Sequence, residues 1–232
     1  MLSSYVYIGL GICDALAMFA LMISLYRLPL WSYRFKVAGF VVFIALFSFV
    51  MRLVLEVPQL DLPIQYVFFL IFIKFVYRLK FSHSSFVAGA GVTAYAILQL
   101  TIYYVYHLVG MIYQSDLLKT EGAVYLIQIS SILAAYGIAI FLKYFRLGFS
   151  FIRIPQDGQP SPQKEQTSLL IASILSTVTI FLISFFLYNV DSLGITIMAF
   201  STFSISYFLS QRSDYEGVRS IVEASLQQDK AK

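Results

Sequence analysis

The 232-residue chain predicts an all-α, polytopic membrane protein of seven transmembrane helices, with its amino terminus outside and its carboxyl terminus in the cytoplasm. Three observations carry this expectation. Hydrophobic residues make up 59% of the chain and charged residues 12%, whereas soluble domains carry about 25% charged residues. With 22 Phe, 17 Tyr and a mean hydropathy of +0.81, the chain holds more apolar surface than its own volume could bury. Finally, the apolar runs are long enough to cross a bilayer, and the positive charges alternate between them.

A helix needs roughly 20 apolar residues to span the hydrocarbon. Seven runs qualify, at about 5–26, 37–57, 62–79, 86–107, 122–145, 168–188 and 192–209, followed by a short cytoplasmic tail over 210–232. VPQLDLP breaks the second run from the third, and YNVDS is so short that the last two runs should form an antiparallel hairpin. Arg27, Arg34 and Lys36 follow the first run, and Lys74, Arg78 and Lys80 end the third. Lys143, Arg146, Arg153 and Lys164 follow the fifth, and Arg212, Arg219, Lys230 and Lys232 follow the seventh. Fourteen of the sixteen Lys and Arg therefore fall on one side, leaving only Lys119 opposite and Arg52 within a run. The positive-inside rule makes that side cytoplasmic, which implies a multi-pass protein of the cell membrane. RLGFSFIRIPQDGQPSPQKEQT, rich in Pro, Gly, Gln and Ser, reads as a mobile cytoplasmic loop.

The net charge of +4 is thus a topology signal and not one for nucleic acid. A single cysteine, Cys13, excludes an internal disulfide and a cysteine-based metal cage, and the two histidines, His83 and His107, leave little for zinc. Set among apolar residues, Cys13 reads as buried and inert. The first run lacks a basic leader and is too long for a signal-peptide core, so no cleavage is expected. Neither a cofactor nor a metal is called for.

Polar residues inside the runs carry the functional interest, because each is costly in lipid unless satisfied. Arg52 and Glu56 are four apart, hence on one face of the second run and able to pair along it. Arg52 lies roughly 8 Å below the outer end and could instead snorkel to the headgroups, with Glu56 interfacial. Asp14 lies roughly 14 Å into the first run, too deep for a short carboxylate to snorkel, and must be protonated, hydrated or paired. Arg52 is a partner at a depth it could bridge. Gln99 and Gln128 fall in the same outer-half band, with Tyr103, Tyr104, Tyr106, His107 and Tyr113 nearby. Asp14, Arg52, Gln99 and Gln128 therefore define a candidate outward-open polar pocket, with Glu56, Tyr103 and His107 at its margin. The competing reading is a set of helix–helix hydrogen bonds without a ligand. The tyrosines otherwise suit an interfacial aromatic belt, and Lys74 snorkels inward.

GAG at 89–91 with Ala90 and Ala94, and Ser173 with Thr177, permit close helix approach. The tail QRSDYEGVRSIVEASLQQDKAK can extend the last helix. Tyr215, Val218 and Val222 give it a short stripe at coiled-coil spacing, interrupted by Gly217 and Ser225.

RLPLWSYRFK after the first run and FVMRLVLEVPQLDLPIQ closing the second resemble the multi-helix membrane sensor regions of sensor histidine kinases of Gram-positive bacteria. The resemblance covers about the first hundred residues. It implies a sensory module, with Arg52 as the matching intramembrane arginine. The tail departs from that pattern: it has no histidine to accept a phosphoryl group and no room for an ATP-binding domain.

Catalysis is not expected. His-Glu-x-x-His, Gly-x-Ser-x-Gly with a histidine, and paired aspartates in facing helices are absent from the sequence as read, and the last run has no retinal-type lysine. Two function classes remain. One is a sensory or regulatory membrane protein that binds an external or membrane-borne signal and acts through a cytoplasmic or membrane partner at its tail. The other is a small secondary transporter or a transporter accessory subunit. Homo-oligomerisation stays open, and the lipid bilayer is a partner in either case.

Overall fold

Apolar residues that cannot be hydrated wind into helix, which satisfies every backbone polar group within the segment. The computed structural model describes residues 2–112, 121–152, 167–186 and 192–230. Among the described residues there is no strand, and the α-helices run in the order α1 (Leu2–Leu25), α2 (Arg34–Phe49), α3 (Pro58–Val76), α4 (Phe81–Leu108), α5 (Glu121–Tyr144), α6 (Thr167–Phe186) and α7 (Ser192–Lys230). A 3₁₀ turn, Trp31–Tyr33, leads into α2, and a π-helical turn, Val50–Val54, follows it.

Five segments are long and apolar enough to cross a membrane: Tyr5–Leu25, Trp31–Val54, Pro58–Val76, Phe81–Leu108 and Gly122–Tyr144. Leu169–Ser184, within α6, is a shorter apolar helix. The chain is therefore helical and compatible with embedding in a membrane. The seventh expected span corresponds to the first part of α7, which continues without a break through the tail for 39 residues, roughly 58 Å. Tyr113, Lys119, Arg153, Lys164, Lys232, most of the long Pro/Gly-rich loop and the YNVD connection at 188–191 lie outside the described residues, as do the side chains of Val218 and Val222. Tyr215 is exposed.

The core forms around α4, which packs against α1, α3, α5, α6 and α7. Its first half is small: Ser82, Ser84, Ser85, Ala88, Gly89, Ala90, Gly91 and Thr93 are all buried. Small side chains let neighbouring backbones approach closely. A Cβ on Gly89 would come within 2.5 Å of Ser176 Cβ on α6, and one on Gly91 within 2.7 Å of Met22 Cγ on α1. Tyr66 on α3 ties the same region together, its hydroxyl hydrogen-bonded to Ser85 and Thr177 at 2.7 Å each. Thr179 and Thr202 hydrogen-bond at 2.8 Å, as the hairpin expected of α6 and α7 requires.

At one end of the bundle an aromatic cluster clasps α7. Tyr26, just past α1, meets Phe86 of α4 at 5.9 Å and Phe149 at 6.0 Å between ring centroids. Phe149 in turn meets Tyr207 of α7 at 5.3 Å. The Tyr26 hydroxyl lies 3.4 Å from Ser210 Oγ. Beyond it, Asp214 accepts hydrogen bonds from the Ser150 backbone N–H and hydroxyl at 3.0 and 2.8 Å.

The Gly89–Ser176 approach gives a direct check. Gly89→Ala is expected to destabilise the detergent-solubilised protein by about 1–3 kcal/mol through overpacking, and Ser176→Gly in the same chain should recover most of that loss in thermal unfolding. A Gly89→Ala variant as stable as wild type would contradict the close approach.

Candidate functional site: a buried carboxylate–arginine network

The site begins where α2 stops being α-helical. Over Val50–Val54 the backbone widens: the Leu55 N–H reaches the Val50 carbonyl at 2.9 Å and the Val57 N–H the Met51 carbonyl at 3.0 Å. Such π turns cluster at functional positions. Glu56 follows in the left-handed region at φ 54°, and Val57, restricted by the proline after it, leads into Pro58 at the first turn of α3. The helix therefore starts ahead of the apolar run proper, at Pro58 and not near 62. That shift places Asp61 at the positive end of the α3 dipole.

Asp61 is fully buried. Its Oδ2 accepts hydrogen bonds from Ser48 Oγ at 2.8 Å and from Arg52 Nε, and its Oδ1 accepts one from Gln65 Nε2 at 2.7 Å. Ser48, near the end of α2, and Arg52, in the π turn that follows it, both reach one carboxylate on α3. The Arg52 side chain remains 45% exposed. Arg52 thus has its ion pair with Asp61, and not with Glu56, which could have paired along the helix, or with Asp14. The π turn ends the helical register after Val54, and Glu56 is exposed, with no ion pair among the described residues.

Asp14, half-buried on α1, accepts a hydrogen bond from the Tyr95 hydroxyl on α4. Asp14 and Arg52 meet at one cavity of about 30 Å³, lined among others by Tyr7, Asp14, Ser48, Arg52, Gln65 and Gln128. That volume admits water or a comparably small species. It is an order of magnitude below an organic-ligand pocket.

Of the residues expected at the site, the fold brings Asp14, Arg52 and Gln128 to this one cavity. Gln99 stands one helical turn beyond Tyr95 on α4 and is not among the residues that line the cavity. Tyr103 and His107 lie apart. Tyr103 is stacked on His107 at 5.9 Å, and His107 Nδ1 is 3.1 Å from the Ile112 carbonyl oxygen, beyond the end of α4. Tyr106 links α4 to α5 through Ser130 at 2.6 Å. Cys13 is exposed on α1, against the expectation that it is buried.

Asp61, Gln65, Ser48 and Tyr95 did not stand out in the sequence. The available signal was Pro58 as a helix start, with an acidic residue in the first turns and Gln65 four residues on. A double-mutant cycle on thermal stability should show coupling of about 1 kcal/mol or more between Arg52→Gln and Asp61→Asn. Arg52→Gln and Glu56→Gln should add within about 0.5 kcal/mol. Coupling to Glu56 in place of Asp61 would contradict the geometry.

Comparison with known protein families, curated proteins and solved structures finds no match to this chain, so the function rests on the geometry of this network.

Proposed function

We propose that the chain is a multi-pass cell-membrane protein of sensory or regulatory type, with seven spans, an external amino terminus and a cytoplasmic carboxyl terminus. In this reading the network of Asp14, Arg52 and Asp61 receives an external or membrane-borne signal, and α7 passes it to a partner through its extension. One observation carries the proposal: the same helix pair bridges both places. Asp14 and Tyr95 join α1 to α4 at the network. Tyr26 and Phe86 join the C-terminal end of α1 to α4 at the clasp on α7. Twelve residues, roughly 18 Å, separate Asp14 from Tyr26 along the chain. A change in the Asp14–Tyr95 contact that shifts α1 against α4 therefore bears directly on the seat of α7. The small cavity restricts any signal that enters it to a water-sized species, and larger signals would meet the exposed part of Arg52.

The interrupted end of α2 supports a second reading, a small secondary transporter, since broken helices beside ionisable residues are where such proteins bind their ions. Proton or cation flux in proteoliposomes that disappears with Asp61→Asn would favour it over sensing.

The sensory reading is tested with one nitroxide. Cys13→Ser with Tyr215→Cys places a single label on exposed α7 surface beyond Asp214. Adding Asp14→Asn should change the label's mobility, while Glu56→Gln should leave it unchanged. Identical spectra for folded wild-type and Asp14→Asn backgrounds would remove the coupling on which the proposal stands.

A further inference from the structure

The helices α1, α3 and α5 end in the same way. Just past each, an arginine occupies the left-handed region: Arg27 at φ 49°, Arg78 at φ 54° and Arg146 at φ 52°. Glycine is the residue that adopts this conformation freely at a helix end, and a non-glycine residue there is uncommon. All three lie at one end of the bundle. Arg27 donates to the Arg146 carbonyl, the Phe149 N–H bonds the Leu25 carbonyl at 2.7 Å, and the Tyr77 hydroxyl bonds the Pro29 carbonyl at 3.3 Å.

Several cations at that end sit over aromatic rings: Arg34 over Phe35, Lys36 over Tyr33, and Lys74 over Phe75 and Phe81. Arg27, Lys143 and Arg146 differ. They are exposed, Lys143 lies one turn before Arg146, and no carboxylate among the described residues pairs with any of them. Beside them α5 turns an apolar face outward, with Leu133, Ile140, Phe141, Tyr144 and Phe145 all exposed. α5 packs chiefly against α1 and α4, which leaves this face to its surroundings.

We propose that Arg27, Lys143 and Arg146, brought together where the ends of α1 and α5 meet, bind the headgroup of an anionic phospholipid whose acyl chains lie along the exposed face of α5. The charge needs a counter-charge, and the adjoining apolar face selects one attached to hydrocarbon over a free anion. Basic clusters at the cytoplasmic ends of helices recognise lipids in this way, each cation near the surface contributing on the order of a fivefold gain in affinity. Arg27 is also pre-positioned, because its guanidinium is already held across the end of α5. The inference rests on the membrane embedding proposed above but not on the sensory role.

The test uses the full chain purified in a neutral detergent. Thermal unfolding is followed with added phosphatidylglycerol, with phosphatidylcholine of the same acyl chains, and with inorganic phosphate. Phosphatidylglycerol should raise the midpoint saturably, and the other two should not. Combining Arg27→Gln, Lys143→Gln and Arg146→Gln should lower apparent affinity for phosphatidylglycerol about fivefold per cation, while Arg34→Gln with Lys36→Gln should leave it within twofold. The Lys143 side chain makes no hydrogen bond or ion pair among the described residues, so Lys143→Gln alone serves if the triple variant does not fold. Equal effects of both lipids, an equal effect of phosphate, or undiminished affinity in the variants would each overturn the site. Because stability is read and not signalling, these failures leave the sensory proposal standing.

Discussion

A carboxylate buried in an apolar bundle has to find its partners within the protein, and Asp61 is where this chain meets that demand. Its oxygens take hydrogen bonds from Ser48, Arg52 and Gln65. Ser48 belongs to α2, Arg52 to the π turn after it and Gln65 to α3, so Asp61 ties the join between these helices together. The π turn and the left-handed Glu56 accompany it: the chain leaves the α register at Val50 and re-enters helix at Pro58, with the carboxylate bonded to the Arg52 guanidinium between them. Removing one partner of a buried pair leaves the other uncompensated, which is commonly more damaging than never having had the pair. The network is therefore a constraint on the fold as well as a candidate site.

Around this anchor the rest of the bundle depends on smallness. The buried glycines, alanines and serines of α4 let five helices pack onto one, and hydroxyls bridge where shape alone would leave gaps. Tyr66, Tyr95 and Tyr26 each place an aromatic ring in the core and aim the hydroxyl at a polar group on another helix. Arranged along α1, α3 and α4, they link the polar end to the clasp on α7. A bundle held by such discrete contacts has few intermediate arrangements, which suits a two-state element more than a continuously deformable one.

Much of this was legible in the sequence. Apolar run length and turn chemistry locate where each helix begins to within about five residues, but not the end of α2 at Phe49 nor the continuation of α7 to Lys230, while the small residues at 89–91 mark a close packing site that the structure contains. Asp14 could be singled out as too deep to stand alone. Its partner could not, because Tyr95 reads as one more aromatic residue in an apolar run. Arg52 was visible, but the partners the sequence offered it were Asp14, Glu56 and the lipid headgroups, and not Asp61, to which it bonds. The i, i+4 spacing to Glu56 assumes an unbroken helix, which the π turn interrupts. Asp61 was hidden inside VPQLDLP, which reads as turn chemistry until Pro58 is taken as a first helical residue. Local backbone departures of this kind depend on tertiary partners, and nothing in a local pattern encodes them.

The decisive measurement is amide hydrogen exchange at the join between α2 and α3, comparing the detergent-solubilised wild type with Asp61→Asn. If the buried carboxylate holds the join, the Leu55 and Val57 amides, bonded to Val50 and Met51, should exchange about tenfold faster in the variant. The α4 amides over 89–93 should be unaffected. Unchanged protection at Leu55 and Val57, or a loss spread evenly through α4, would show that Asp61 does not organise this end of the bundle.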